Sequence, residues 1–560
     1  MHVYLFEAKS IQAYIFRSGK LKDLVAASER LDRLVDDTPH STLNRVLQAA
    51  QLSSNLLDAD MQVEGNTIGF TRCKGGAFYA FCHNVEPLQQ LRSSWTLVVQ
   101  QLFPGMEFVD ALTSGADLPE AMEGAHSLMA QARNTPRVKF PWATAVCRNA
   151  NRTGMTAVPM TPEALKEVHT NSDELVDVDT EHHRQAYRFL GLRKDTLLDK
   201  FTGGTHDEGG LPDNLKFPLD TEQFPAFQAQ DTEREVVRDL ALIHIDGNGL
   251  GLLLRALQQQ LAGQSTELYS RAFRRFSNAL ANATEKAAAV ATQWLYMNSS
   301  SAQKNDILPM RPVVLGGDDI TLLCQADLAI GYAEQFCSAF KKISEDELAG
   351  LYKKHLKDTG IIKPYLTASG GILYHKASHP FTTCHELVEG LCQEAKAATK
   401  QVDSNVGPAA LAFYRISNAL AEDIKQLRAQ TQHFHTGRGE ITSSLGGYLL
   451  EQDEDALNSL ALLRTLADKA REKDQSGNSL PVSVAKFRQM ATHLANGDLL
   501  EAQRIYERML ELQNKHSVDA ARLWVAYPWL ADRSTATWLS DLLTYAHFNA
   551  PVSTKEVSHG

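Results

Sequence analysis

Short apolar runs alternate with long helical patterns in the middle of the chain. The run DLALIHID at 239–246 ends in an acid and predicts a buried strand that stops at a sheet edge. Two stretches rich in Ala, Leu, Arg and Glu, 250–262 and 267–297, predict helices. The segment VVLGGDDITLLC at 313–324 has apolar residues on both sides of a glycine pair, which is typical of a hairpin.

The alternation continues to residue 416. A helical pattern at 327–346 is followed by an apolar strand at 364–376, a helix that begins with Pro380, and the closing strand ALAFYRI. The order strand, helix, hairpin, helix, strand, helix, strand predicts a ferredoxin-like sheet with additions and with its helices on one face. We assign 235–416 to this domain.

The first 146 residues repeat the same order more loosely, so we expect two similar domains. VYLFEA at 3–8 corresponds to LIHIDG at 242–247, and NTIGFTRCKGGAFYAFC at 66–82 corresponds to the second hairpin. The first copy has the turn without the acids, so only the second domain is expected to hold metal. Aligned glycine on glycine, the hairpins pair Gly75 with Gly316, Gly76 with Gly317, Ala77 with Asp318 and Phe78 with Asp319.

The remaining segments have different patterns. Residues 147–234 are poor in periodicity and rich in Thr, Asp, Gly and Pro, which indicates a connector with one helix near 181–199. Beyond 417 the pattern is helical, interrupted by HTGRGEITSSLGG at 435–447, which we interpret as a loop. The predicted fold class is therefore α+β, with two ferredoxin-like domains and a separate helical domain over 417–560.

Composition limits the classes of partner, cellular location and cysteine chemistry that fit this sequence. A formal charge of −11 argues against a protein that coats nucleic acid by bulk electrostatics. No apolar run approaches the roughly 18 residues of a membrane helix, and the start lacks a signal sequence, so we expect no membrane partner and a cytoplasmic location. The seven scattered cysteines contain no C-x-x-C pair, which disfavours a disulfide framework or a zinc ribbon.

The paired acids of the second hairpin carry the chemical signal. A tight turn needs at most one acid, and adjacent carboxylates repel unless a cation lies between them. Asp246 ends a strand that this topology places beside the hairpin, so Asp246, Asp318 and Asp319 are expected to converge. Mg²⁺ or Mn²⁺ binds such carboxylates and takes its remaining ligands from water and substrate phosphates, as in nucleotide polymerases and cyclases.

Glycines flank these acids on both sides. Gly247, Gly249 and Gly251 open a helix whose first amides are candidates to bind phosphate, and Gly316 and Gly317 would let a nucleotide approach the hairpin. Glycines beside a strand end are more often simple turn residues. Their coincidence with three aspartates in order favours nucleotide binding.

Three further polar residues are candidates. Lys396 lies on the helix after the SGGI strand, where it would neutralise charge on transferring phosphates; alternatively it is an exposed helix lysine. Asn248 is a candidate to bind a ribose hydroxyl or a base edge, or it fills a turn. Ser369 is a candidate to face the base, or it is a packing residue in a strand.

These motifs together resemble a known family, the large polymerase-cyclase subunit of type III CRISPR effector complexes, whose palm domains are related to GGDEF and adenylyl cyclase domains. The resemblance covers 1–146 and 236–416 well and the C-terminus more loosely. The quoted motifs are SIQAYIFRSGKLKDLVAASERL in the first palm domain and LIHIDGNGLG, VVLGGDDITLLC, SGGILYHKASHPF and EAKAATK in the second.

The resemblance implies synthesis of cyclic oligoadenylate from ATP as a second messenger in antiviral defence, with protein partners of a type III complex and guide and target RNA. It also implies residue roles. Asp246, Asp318 and Asp319 would be metal ligands, Asp318, Asp319 and Lys396 catalytic, and Gly247, Asn248, Gly249, Gly316, Gly317 and Ser369 nucleotide-binding.

The chain departs from the family in two places. Many members begin with an HD nuclease domain, whereas this sequence starts directly in the first palm domain, and its lone HD pair at His206 and Asp207 lies in a glycine-rich loop. We therefore expect no DNA cleavage. Many members also have a cysteine-rich zinc site between the palms, of which only Cys147 is present here as a possible relic.

Two other functions stay open. One is a catalytically silent, RNA-binding scaffold subunit, but a scaffold has no need to hold repelling acids together. The other is a GGDEF-like synthase of cyclic dinucleotides, but such enzymes usually pair two identical active domains. Mass spectrometry of the products from ATP and from GTP separates all three functions.

Overall fold

The computed structural model gives a fold of two ferredoxin-like domains with a helical C-terminal region packed on the second. No described helix is long and apolar enough to cross a membrane. His206 and Asp207 lie outside the described residues. The structure describes 1–135, 146–159, 174–191, 196–203, 211–212, 214–224, 239–356, 363–416, 423–436, 439–452, 456–473, 479–514 and 536–549.

The first domain is a four-stranded antiparallel sheet in the order β2-β3-β1-β4, which confirms the ferredoxin-like prediction. Alternate residues of a strand face opposite sides, so Phe6 packs against Trp95 while Leu5 packs on the other face with Met122. The strands are β1 (His2–Lys9), β2 (Gly69–Lys74), β3 (Ala77–Cys82) and β4 (Glu107–Ser114), and the helices are α1 (Ile11–Phe16), α2 (Leu21–Asp32), α3 (Thr42–Ala49), α4 (Glu86–Leu102) and α5 (Leu118–Arg133).

The second domain has a six-stranded sheet in the order β12-β9-β8-β5-β7-β6. Strand β5 lies between β7 and β8, as expected, which places the strand of Asp246 beside the hairpin. The strands are β5 (Asp239–Asn248), β6 (Met310–Gly316), β7 (Asp319–Gln325), β8 (Thr367–Lys376), β9 (Ala410–Arg415) and β12 (Gly447–Leu449), and the helices are α8 (Leu250–Gln260), α9 (Thr266–Met297), α10 (Ser300–Asn305), α11 (Ala329–Leu351) and α12 (Phe381–Val402).

The expectation of helices on one face of this sheet is wrong. Ile243 and Ile245 belong to the same apolar cluster as α9 and α11, whereas Leu242 packs with Leu387 and Leu391 of α12 on the opposite face. The strands are apolar on both faces, so both faces need cover. Helix α12 crosses between the parallel strands β8 and β9 and supplies the second layer.

The described residues of the connector contain two helices, α6 (Val178–Gly191) and α7 (Thr196–Thr202), where one was predicted. Helix α6 packs on α2 of the first domain. Its Arg184 Nε donates to Asp23 Oδ1 at 3.0 Å, and both side chains are buried. The connector is therefore docked on the first domain by an internal ion pair.

The prediction of a loop at 435–447 is wrong. Strands β10 (His433–Thr436) and β11 (Gly439–Thr442) form a hairpin there, and β12 then joins the sheet of the second domain. Phe548 stacks on Tyr374 of β8, with ring centroids 3.8 Å apart, so the C-terminal region packs directly on that domain. The helices in the described part of this region are α13 (Ile424–Thr431), α14 (Leu460–Lys469), α15 (Val484–Ala495), α16 (Leu499–Asn514) and α17 (Leu539–Phe548).

Candidate active site

The hairpin of the second domain holds its two acids in different positions. Gly316 and Asp319 close the turn, and Gly317 and Asp318 form its tip. Gly317 has a φ of 54°, a left-handed conformation that glycine adopts without strain. A Cβ on Gly316 would lie 3.0 Å from Asp319 Oδ1, so the missing side chain leaves room for that carboxylate.

Asp246 approaches these acids from the neighbouring strand. Ile245 pairs with Ile320, so the end of β5 lies beside the start of β7. A Cβ on the next residue, Gly247, would lie 3.0 Å from Asp318 Oδ2. The structure thus brings together the three acids that the sequence singles out, and all three are half-buried.

The acids repel one another in this arrangement. Burial, together with the charges of Asp246 and Asp319, raises the pKa of Asp318 to about 8. Burial and the charge of Asp246 raise the pKa of Asp319 to about 7, against weaker opposing effects that include a hydrogen bond from Gln12. A site that disfavours its own negative charge has the electrostatics that a cation would relieve.

Lys396 of α12 contacts the same cluster. Its Nζ donates to Asp246 Oδ2 and, at 3.2 Å, to the carbonyl oxygen of Gly247. The side chain is only 16% exposed, so the alternative of an exposed helix lysine is wrong. The expectation that α12 brings this lysine to the edge of the sheet is confirmed.

The donor set suits a magnesium site that substrate completes. Among the described residues, no group of three or more His, Cys, Asp or Glu side chains is arranged to hold a metal alone. Asp319 Oδ2 accepts a hydrogen bond from Gln12 Nε2 at 2.6 Å, and Asp246 pairs with Lys396. Carboxylate oxygens that are few and partly engaged fit Mg²⁺, which keeps waters and takes phosphate oxygens.

Cys147 as a relic of a zinc site stays a prediction. The thiol of Cys147 is exposed, and no metal-binding group forms around it within the described part of 147–234.

The structure places Asn248 and Ser369 on adjacent strands within the sheet. Asn248 Nδ2 donates to Ser369 Oγ at 2.8 Å and to Thr367 Oγ1 at 3.1 Å, and all three residues are buried between β5 and β8. This placement favours packing over nucleotide contact. Gly249 has a φ of 83° at the start of α8, which is a turn requirement.

Two cavities flank the place where the hairpins of the two domains meet. A Cβ on Gly75 would lie 3.7 Å from the amide nitrogen of Gly317. The first cavity, of about 580 Å³, lies between α1, α2 and α12, and it includes Asp318 and Asp319. The second, of about 360 Å³, lies between α8, α9 and α5. Since α1 and α2 follow β1 as α8 and α9 follow β5, the two cavities are equivalent positions of the internal repeat.

A third opening, of about 520 Å³, exposes the three aspartates together with Gln12, Glu386 and Glu389. Gln12 lines this opening and the first cavity. It belongs to the first domain, so the candidate site is built from both domains.

The register of the repeat corrects the glycine-on-glycine alignment by one residue. Each turn has two residues between its closing pair, and the closing pairs are Lys74 with Ala77 and Gly316 with Asp319. A glycine fits several turn positions and therefore does not fix register. The structural pairs are Gly75 with Gly317, Gly76 with Asp318 and Ala77 with Asp319.

Sequence reasoning missed Gln12 and Arg72. Arg72 lines both cavities where the hairpins meet. Gln12 lies within the motif SIQAYIF that carries part of the resemblance, but neither residue has a local pattern that indicates chemistry.

The fold and the acids together define a palm domain of the nucleotidyl cyclase and polymerase class. Residues 239–404 match the family model for the second palm domain of Cas10/Cmr2. The match confirms, over this segment, the resemblance to the large subunit of type III CRISPR complexes.

The chain is similar to solved structures of Csm1 proteins. The chain is 11% identical to the Csm1-Csm4 cassette crystallised with cA4, covering 98% of this chain and 69% of that chain, with a TM-score of 0.49. For the cassette with cA3 the identity is 13%, the coverage 98% and 69%, and the TM-score 0.48. For Csm1 in T. onnurineus the identity is 14%, the coverage 97% and 69%, and the TM-score 0.44. No curated protein matches the chain significantly.

Proposed function

We propose that this protein is a nucleotidyltransferase that makes cyclic oligoadenylate from ATP with a divalent metal. The observation that carries the proposal is the convergence of Asp246, Asp318 and Asp319 beside a cavity between two palm domains. The Cas10/Cmr2 match over 239–404 supports the same function.

The proposed roles follow from the contacts. Asp246, Asp318 and Asp319 would hold Mg²⁺ or Mn²⁺, which supplies activation of an attacking hydroxyl and neutralisation of phosphate charge. Lys396 holds Asp246 in place and carries positive charge at the edge where phosphate charge develops. Gly316 and Gly317 leave the hairpin backbone open to a nucleotide.

Two equivalent cavities support the joining of two nucleotides. A nucleotide in each cavity would meet the other at the touching hairpins, with acids from the second palm only. This asymmetry favours repeated addition at one centre over a symmetric cyclic dinucleotide synthase.

We also propose that the chain acts with protein partners of a type III CRISPR complex and with guide and target RNA. Retention of the acid cluster favours the enzyme over a silent scaffold. The raised pKa values of Asp318 and Asp319 indicate that holding these ionised acids together costs folding free energy, which a scaffold has no need to spend.

The test is product analysis with ATP and GTP supplied separately and with Mg²⁺ or Mn²⁺. We expect pyrophosphate and 3′–5′-linked or cyclic adenylates from ATP, and none from an Asp318→Asn/Asp319→Asn variant. Products from GTP alone would support the cyclic dinucleotide synthase. Absence of product from the parent protein, with its partners and target RNA present, would support the scaffold.

A further inference from the structure

The first palm domain keeps one acid where the second holds Asp246. The correspondence of VYLFEA with LIHIDG places Glu7 at that position. Glu7 pairs in register with Ala77, which stands in the place of Asp319. The first palm therefore has the strand acid without the hairpin acids.

Glu7 is neutralised by its own domain. It forms an ion pair with Arg133 and accepts a hydrogen bond from the Tyr79 hydroxyl. Burial alone would raise the pKa of Glu7, but these hydrogen bonds outweigh burial and lower the pKa below its ordinary value. Arg133 thus pairs with Glu7 in the first palm as Lys396 pairs with Asp246 in the second.

Arg72 lies next to this group. Its Nη1 lies 3.4 Å from the Tyr79 hydroxyl, and its guanidinium lies 5.4 Å from the Tyr79 ring centre. Burial would lower the pKa of Arg72, but interactions with Tyr79 and with the charges of Glu7 and Asp318 raise it. In the described part of the chain, Arg72 nevertheless forms no direct ion pair with a carboxylate. A half-buried guanidinium in this state has donors available for an anion.

The position of Arg72 identifies the anion. Its Nη2 would lie 3.7 Å from a Cβ on Gly75, at the contact between the hairpins, and its side chain lines both cavities. The two lysines that line the first cavity are already paired, Lys74 with Asp36 and Asp37, and Lys200 with Asp32. Among the described residues that line that cavity, Arg72 is thus a basic side chain without a direct ion pair.

We propose that Arg72 binds the phosphates of a nucleotide lodged between the two palms, an inference that rests on the proposed function. A planar guanidinium offers two parallel donors to a phosphate, which a lysine ammonium does not. The first palm then contributes a fixed positive charge to a reaction whose acids all come from the second palm.

The test compares ligands that differ only in phosphate. Binding of α,β-methylene-ATP and of adenosine is measured by calorimetry, with Mg²⁺, for the parent, Arg72→Met and Arg72→Lys. Arg45, exposed on α3, provides the control Arg45→Met. We expect Arg72→Met to weaken the triphosphate about ten- to hundredfold, the loss typical of a hydrogen bond to a charged group, with adenosine unchanged. Arg72→Lys should show an intermediate loss.

Different results would contradict the assignment of Arg72 and the proposed function. Unchanged triphosphate affinity in Arg72→Met, or an equal loss for adenosine, overturns the assignment while leaving the proposed function intact. A parent protein that binds neither ligand overturns the proposed function itself. If Arg72→Met does not fold, as judged by its melting curve, Arg72→Lys must show the selective loss for the assignment to stand.

Discussion

The acids of the hairpin make stability depend on pH in a definite direction. The pKa values of Asp318 and Asp319 are raised to about 8 and about 7, whereas an aspartate in the unfolded chain has a pKa of about 3.9. Between these limits the folded protein binds more protons than the unfolded chain, so stability falls as pH rises from about 4 to about 8. We predict that metal-free melting curves show this fall and that Asp318→Asn/Asp319→Asn flattens it.

At pH 8 the double variant should melt at the parent temperature or up to about 4 °C higher. Mg²⁺ with a nonreactive ATP analogue should stabilise the parent and not the variant, because ligand-linked stability disappears with the site. If the acids instead satisfied backbone amides, their loss would cost about 1 kcal/mol or more, without any metal effect in the parent.

Lys396 is predicted to act mainly on turnover. Lys396→Ala removes the donor to Asp246 and a positive charge at the reacting edge, so kcat should fall at least about tenfold, with a smaller change in the apparent KM for ATP. Lys400, exposed one turn later on α12, provides the control Lys400→Ala, which should change neither value. Parallel losses in both variants would contradict a role at the site.

At the scale of elements, the register of the first hairpin decides what an added acid does. Ala77 occupies the place of Asp319, but Gly76 offers no carboxylate in the place of Asp318, and Arg133 already neutralises Glu7. Ala77→Asp should therefore lower the melting temperature, since Ala77 is buried, without adding activity. Doubled product formation, assayed per folded molecule, would contradict the assignment of an inactive first palm.

The order of strands and helices was predictable because each element carries its own apolar pattern. The packing of α12 on the second face of the sheet was not predictable, because the apolar patterns of buried strands do not indicate which helix covers which face. The strands at 433–449 are short and rich in Gly, Ser and Thr, so their local pattern resembles a loop, and β12 is stabilised by pairing with β9.

The acids and Lys396 were predictable from motifs because they lie on elements with a known order. The role of Gln12 was not predictable, because its partner Asp319 is 307 residues away and only the packing of two domains brings them together. Asn248 and Ser369 show the converse case, and their binding of nucleotide stays a prediction. Polar residues on adjacent strands near a site can satisfy each other, and sequence alone does not distinguish that outcome from ligand contact.

At the scale of the whole molecule, the candidate site exists only where two domains meet. The first cavity is lined by both palms, and the Gln12 hydrogen bond to Asp319 crosses between them. Ser28 Oγ of α2 also donates to the carbonyl oxygen of Val313 on β6. Nucleotide binding should therefore depend on residues that hold the palms together without touching either cavity.

Arg274 provides the sharpest test of this dependence. It is buried on α9 of the second palm, and its Nη1 and Nη2 donate to the carbonyl oxygens of Asn55 and Leu56 in the first palm, at 2.7 and 2.5 Å. Arg274→Met would leave both carbonyls buried without a partner, at about 1–3 kcal/mol each. We predict a melting temperature lowered by several degrees and weaker binding of α,β-methylene-ATP. Arg271, exposed on the same helix and paired with Glu267, is the matched control, and Arg271→Met should stay within about 0.5 kcal/mol of the parent. Unchanged nucleotide affinity in folded Arg274→Met protein would show that the site does not depend on this contact between the palms.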